Sequence, residues 1–236
     1  MEGPRNFTRN FMRCAVFILL AMAARAETLH YAINWPSGLS LGEATLTSDG
    51  GTANSGPNSA EHRSFDLAID ASLPGFALRD HDKSSAGAGL CSEQLDKSTT
   101  HGQHQSEERI TFDQKNNTVT RESVNGGGKS QISVGTCARD GLAFLQFARQ
   151  ELAQGRIVPE QSVIFGGIYQ VRLQYTGEQT VNVGERQVPT DHMLATIKGP
   201  ASDITVEIYF ARDAARTPVL AKVPVPLGTF TVELSR

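Results

Sequence analysis

The stretch 140–155, Asp-Gly-Leu-Ala-Phe-Leu-Gln-Phe-Ala-Arg-Gln-Glu-Leu-Ala-Gln-Gly, carries the one strong helical period in a chain that otherwise alternates like strands. At about 100° per residue, Phe144, Leu145, Ala148 and Leu152 fall on one side, and Leu142 and Phe147 widen that side past half of the circumference. So wide an apolar arc has to be enclosed, so the strands are expected to fold over it. Gln146, Gln150 and Gln154 form a narrow, neutral polar stripe. Asp140 is placed to cap the free N–H groups, and Gly155 to end the helix in a left-handed conformation.

Around this helix the period is that of strands. Leu29, Tyr31, Ile33 and Trp35 alternate with His30, Ala32 and Asn34, and Pro36-Ser37-Gly38 turns the chain. The return strand changes phase at Gly42, with Leu39 and Leu41 on odd positions but Ala44 and Leu46 on even ones, which is the pattern of a β-bulge. Alternation recurs at 65–70, in a hairpin of 108–112 and 118–122, and at 132–134. Beyond the helix it returns at 163–165, 168–175, 179–183, 188–198, 204–210, 219–223 and 230–234. Two segments lack a period: 48–64, rich in Gly, Ser, Asn and Thr, reads as a long loop, and 80–107 reads as polar and irregular. Pro224 and Pro226 suggest a sheet edge or a crossover. About ten strands are too many for one helix to cover unless the sheet curls. The expected fold is mainly β: a curved antiparallel sheet or partly open β-barrel wrapped around one α-helix at about 140–154.

The first residues set the expected compartment. Arg5, Arg9 and Arg13 precede an apolar run at 15–24 and the small-x-small site Ala24-Arg25-Ala26, so 1–26 reads as a cleaved signal peptide. The run is shorter than the roughly 20 residues that span a bilayer. Residues 27–236 are then expected to be a single β-rich domain, periplasmic or secreted, with no transmembrane segment. Cys14 precedes the apolar run, so no lipid anchor is expected. Residues 27–236 carry 18 Lys and Arg against 24 Asp and Glu with no basic cluster, which argues against nucleic acid or an anionic membrane as partner. Cys91 and Cys137, the cysteines left in an oxidising compartment, are expected to form a disulfide, with free buried thiols as the alternative.

Three stretches together point to a family. They are Tyr31-x-x-x-Trp35-x-x-Gly38-x-x-x-Gly42-x-Ala44, Asp140-x-Leu142-x-x-Leu145 and Phe210-Ala211-x-Asp213-x-x-Arg216-x-Pro218. In this order, over nearly the whole mature chain, the pattern resembles the exported bacterial family of the domain of unknown function 3108. The resemblance implies an exported, β-rich envelope protein of unassigned activity and brings no catalytic residues with it.

Chemical signatures are sparse. No Gly-x-Ser-x-Gly elbow, His-Glu-x-x-His pair or phosphate-cradling glycine loop is present. His101-x-x-His104, with Asp80, His81 and Asp82, has ligand types that suit a divalent metal, but the spacing matches no standard site, and no metal or other cofactor is expected. Asp191 and His192 adjoin on a strand, where neighbours point to opposite faces. Tyr31, Trp35, Tyr169, Phe210 and Phe230, with Phe144 and Phe147 of the helix, are the candidates for a groove that takes a lipid or other apolar small molecule; the alternative is a filled core. Arg212, Asp213 and Arg216 are candidates for docking an envelope protein; the alternative is a charged turn in which Asp213 bonds its own backbone. The expected function is non-enzymatic binding of an apolar or lipid-like ligand, or of an envelope partner, in the cell envelope. An interaction module with a filled core and no pocket is the alternative, and a hydrolase or metalloenzyme ranks third. An inward-facing Gln stripe would favour a polar path for a ligand.

Overall fold

The computed structural model describes residues 26–49, 62–73, 76–200, 203–225 and 228–235. β1 (Glu27–Asn34) and β2 (Ser40–Ser48) form the first hairpin. Its register slips where the change of phase placed it: Ile33 pairs with Gly42 and Asn34 with Ser40, so Leu41 is the extra residue. A Cβ at Gly42 would overlap the backbone of Asp70 on the next strand, so the bulge requires glycine there. Antiparallel strands continue through β3 (Arg63–Leu73), β4 (Phe76–Ala86), β5 (Ser92–His101), β6 (His104–Asp113), β7 (Thr118–Ser123) and β8 (Lys129–Ser133). β9 (Arg139–Asp140) leads into α1 (Gly141–Ala153), and β10 (Gln161–Ile164) pairs with β9 in parallel, the crossover that a helix makes possible. The chain then runs through β11 (Ile168–Val183), β12 (Arg186–Lys198), β13 (Asp203–Ala211), β14 (Pro218–Val225) and β15 (Gly228–Leu234), and β15 pairs with β1.

All fifteen strands of the described residues belong to one sheet whose two edges, β8 and β9, are consecutive in the chain. The sheet curls past itself instead of closing edge to edge. The Ser92 N–H donates to the Ala138 carbonyl at 3.0 Å, so the β9 side meets the start of β5. Strands β6 to β8 overhang that seam and bury Ile110, Phe112 and Val119 against Ala138 and Ile164. The Cys91–Cys137 disulfide expected from the sequence lies beside the seam.

Helix α1 matches its expected bounds, and its arc is enclosed on several sides. Phe144 and Ala148 pack on Val163 and Val171, Ala143 on Phe65 and Ala86, and Leu152 on Met193 and Phe210. Asp140 is the N-cap and accepts from the Leu142 and Ala143 N–H groups. Its other carboxylate oxygen accepts the hydroxyls of Ser84 and Ser92, each at 2.6 Å, so β4, β5 and the helix share one buried acceptor.

Four expectations need correction. Segment 80–107 is not irregular: it is the rest of β4, all of β5 and the start of β6. The faces of these strands that look toward the helix carry Asp80, Asp82, Ser84, Lys97 and Thr99, so no apolar period betrays them. β2 runs to Ser48 and β3 starts at Arg63, so the loop expected at 48–64 is shorter at both ends; residues 50–61 of it, and the leader expected at 1–26 apart from Ala26, lie outside the described residues. β11 continues through the break expected at 176–178, taking a bulge between Tyr175 and Gly177. Pro224 lies on a strand paired on both sides, and Pro226 lies outside the described residues. Pairing of β14 with β13 stops at Lys222, so no ladder bond is required of Pro224 on that side. Among the described residues no helix is long and apolar enough to cross a membrane.

The disulfide joins residues 46 apart in sequence, a loop whose closure is worth about 4 kcal/mol in the chain-entropy model. Replacing Cys91 and Cys137 together by Ala is expected to lower unfolding stability by about 3–4 kcal/mol in urea titrations. Retention of wild-type strand content below the transition would show that the seam still forms.

Candidate functional site

The polar stripe of α1 faces a cleft. Gln146 and Gln150 are half-buried, whereas Gln154 is exposed. The two half-buried amides, with Arg149 and Ala153 of the helix, bound a cleft of about 530 Å³ whose other walls come from Ala26 and Glu27 at the start of β1, Ser48 and Asp49 at the end of β2, Arg63 and Phe65 of β3, and Ala214 and Ala215 of the β13–β14 turn. That volume lies within the range of roughly 300–1,000 Å³ typical of small-molecule sites. Neutral amides that donate and accept, set beside a phenyl ring and small apolar side chains, suit a ligand with both polar and apolar parts.

Arg149 holds this cleft together. Its side chain is 3% exposed, and its guanidinium makes a forked pair with Glu27, Nη1 to Oε2 at 2.7 Å and Nη2 to Oε1 at 2.9 Å. Nη1 also donates to Gln146 Oε1 at 3.1 Å, and Nε donates to the carbonyls of Ala215 and Arg216. One cation therefore joins helix, first strand and turn, and fixes the orientation of a cleft-lining amide. Tyr31 lies beside the pair; its hydroxyl donates to the Pro218 carbonyl at 2.9 Å, and burial pushes its pKa well above the ordinary value. On the opposite face of the helix the Arg139 guanidinium stacks 3.9 Å from the Phe147 ring centroid, and burial lowers its pKa.

The aromatic candidates do not converge. Tyr31 packs with Leu29, Ala44 and Leu46; Phe144 with Val158 and Val163; Phe147 half-buried under Arg139; Phe210 with Leu152 and Met193. Trp35 meets Phe230 edge-on at 4.9 Å, and Tyr169 meets Phe165 at 5.7 Å. None of the expected groove residues lines the cleft, which takes its ring from Phe65. In the 212–216 turn, Asp213 accepts from the Thr217 N–H and hydroxyl, Arg216 Nη1 donates to Asp191 at 2.6 Å, and Arg212 pairs with Glu178. Those charges are engaged within the chain. Of the histidines, His101 pairs with Asp80 at 2.8 Å on the face toward the helix and stands opposite His104 across the β5–β6 turn, whereas His81 pairs with Asp66 on the other face. Asp191 and His192 also part, for His192 stacks on Tyr209 at 4.4 Å and contacts Thr176 Oγ1 at 2.7 Å through Nδ1.

That stack belongs to a second polar cluster. The Tyr209 hydroxyl donates to Glu207 at 2.6 Å, and Lys222 Nζ donates to Glu207 at 3.2 Å. The Tyr209 bond is the main reason the Glu207 carboxyl lies below its usual range, while burial raises the Tyr209 hydroxyl.

Residues 28–235 match the family model described as Protein of unknown function (DUF3108). The chain belongs to the DUF3108 family. The stretches that carry the family resemblance fall on joints of the fold: Tyr31 bonds Pro218, Asp140 caps the helix, and Arg216 pairs with Asp191. No curated protein matches the chain. A solved relative in fold is a beta-barrel-like protein of the domain of unknown function DUF1849 from Brucella abortus, with a TM-score of 0.63 at 6% identity over 91% of this chain and 98% of that one. At this identity the likeness is one of fold alone.

Sequence reasoning missed Arg149, Glu27 and Phe65 of this DUF3108 cleft. A cation three residues after Gln146 and one before Gln150 was the available signal for the first. Arg149→Met is expected to destabilise the protein by about 3 kcal/mol, because it leaves the Glu27 carboxylate and two carbonyls without their donor; chemical denaturation measures it. Tyr209→Phe tests the second cluster. Glu207 contributes stability above its ordinary value of 4.5 that is lost as pH falls through its lower value in the fold, so the cost of Tyr209→Phe is expected to shrink toward acid. Unfolding midpoints of both proteins from about pH 7 to about pH 3 read this directly, and a constant gap would refute it.

Proposed function

We propose that this DUF3108 chain is an exported cell-envelope protein, processed near Ala26, that binds an amphiphilic, lipid-like ligand without catalysing a reaction. The cleft beside α1 is the binding site. The observation that carries the proposal is the placement of Gln146 and Gln150 in a cleft that also holds Phe65 and three alanines of α1 and the β13–β14 turn. Neutral amides there would take hydroxyl, amide or ester groups, and the apolar walls would take the attached chain. Export is supported by the leader pattern at 1–26 and by a disulfide of the kind that persists in oxidising compartments. A non-catalytic role is supported by the separation of Asp191 from His192 and of His81 from His101.

An interaction module with a filled core is the second reading, favoured by the dispersal of the aromatic side chains among separate packing clusters.

Native mass spectrometry of protein purified from the envelope separates the two. The expected result is a non-covalent adduct on the wild type that is lost from Ala153→Trp, since Ala153 is an exposed residue whose enlargement fills the cleft without disturbing the core. A wild-type mass with no adduct, or an adduct undiminished in the variant, would overturn the cleft as the binding site.

A further inference from the structure

A second cavity lies at the other end of the helix, independent of the cleft beside the Gln stripe. It holds about 230 Å³ between the first turn of α1 and the inner faces of β3 to β5. Leu67, Leu95, Leu142 and Ile164 make its walls. Phe165, 40% exposed, stands at its rim, packed so closely that a Cβ on Gly141 would overlap its ring.

Into this apolar chamber the sheet delivers a charged pair. Asp82 and Lys97 are directly opposed on β4 and β5, and Lys97 Nζ donates to Asp82 Oδ2 at 3.0 Å. Their side chains are 18% and 21% exposed. The second oxygen, Asp82 Oδ1, is buried and has no hydrogen-bond partner among the described residues. A buried acceptor without a donor costs roughly 1–3 kcal/mol, and more when it carries charge. Burial accordingly raises the Asp82 pKa, Lys97 offsetting part of the effect. Nearby Asp140 is in a different condition, since both of its oxygens already accept two bonds each.

The charges restrict what can enter. An ammonium ligand would meet Lys97, and a carboxylate or phosphate would meet Asp82 with Asp140 behind it. The pair is neutral as a unit, and so is the ligand it favours. A hydroxyl group suits both members: it accepts from Lys97 Nζ, and a turn of the Asp82 carboxylate, whose Oδ1 is closed off from the chamber as it stands, lets that oxygen accept from it. The volume falls below the roughly 300 Å³ at which drug-sized sites begin, which limits the guest to one ring or a short chain. We propose that the Asp82–Lys97 chamber is a binding site for a small, neutral, largely apolar molecule bearing one hydroxyl group, an alcohol or phenol.

The probes are 4-ethylphenol and its methyl isostere 4-ethyltoluene, titrated into the full mature protein with methyl-labelled Leu and Ile and followed by NMR. The expected result is binding of the phenol at least about tenfold tighter than of the toluene, with shift changes on the methyls of Leu67, Leu95, Leu142 and Ile164. Asp82→Leu combined with Lys97→Met removes both members of the pair without leaving either charge unpartnered, and this double variant is expected to bind both probes with similar affinity. Equal affinity of the wild type for the two probes, no binding of either, or shift changes elsewhere would overturn the proposal. So would discrimination that survives in the folded double variant. If the double variant does not fold, the wild-type comparison and the location of its shift changes decide alone. The Ala153→Trp variant should leave 4-ethylphenol binding unchanged, which separates failure of this site from failure of the cleft.

Discussion

A carboxylate taken out of water must find donors for both of its oxygens, and Asp140 finds four. Two are the first free N–H groups of α1, and two are hydroxyls from neighbouring strands of the sheet, Ser84 and Ser92. The Asp140 N–H donates in turn to Ser92 Oγ at 2.8 Å. A sheet of fifteen strands has many ways to curl, and strand pairing alone does not specify where its flanks should meet. The Asp140 cluster does, because the second oxygen of the buried cap carboxylate finds its donors where β4 and β5 present their two hydroxyls. The disulfide and the Ser92 N–H to Ala138 carbonyl bond reinforce the same junction. Once that seam is set, the strands beyond β5 have to overhang it, so the sheet becomes a spiral instead of a closed barrel.

Arg149 fixes the other half of the helix in a different way. Asp140 joins the helix to strands at its start; Arg149 joins it to β1 and to the β13–β14 turn. Removing a cation from water is expensive unless its donors are matched, and the forked carboxylate and two carbonyls match them. The consequence is geometric. With both ends of α1 held, Gln146 and Gln150 have to look across a gap toward Phe65 instead of closing onto it, and that gap is the cleft.

What could be read from the residues follows from how local its cause is. The helix, its cap and its limits depend on residues within a few turns of one another, and they were legible, as was the bulge at Gly42, which depends on a change of phase over six residues. The cysteine pairing came from compartment chemistry and holds. The aromatic groove was not legible, because residue type records only that Tyr31, Phe144 and Phe210 prefer burial, not which cluster each joins. Arg149 was hidden for a related reason: its partners lie 122, 66 and 67 residues away in the chain.

The strands within 80–107 were hidden for a reason that bears on function. Alternation is visible when one face of a strand is apolar, and in β4 and β5 the inward face carries Asp80, Asp82, Ser84, Lys97 and Thr99. Ser84 is explained by the helix cap, and Asp80 by its bond to His101. Asp82 and Lys97 bond only partly to each other, and neither contributes to the seam. An isosteric apolar pair would fill the same space without the desolvation cost, and replacement of buried ion pairs by well-packed apolar residues is often neutral or stabilising. Stability therefore gives no reason for this pair to be charged, whereas recognition of a hydroxyl does.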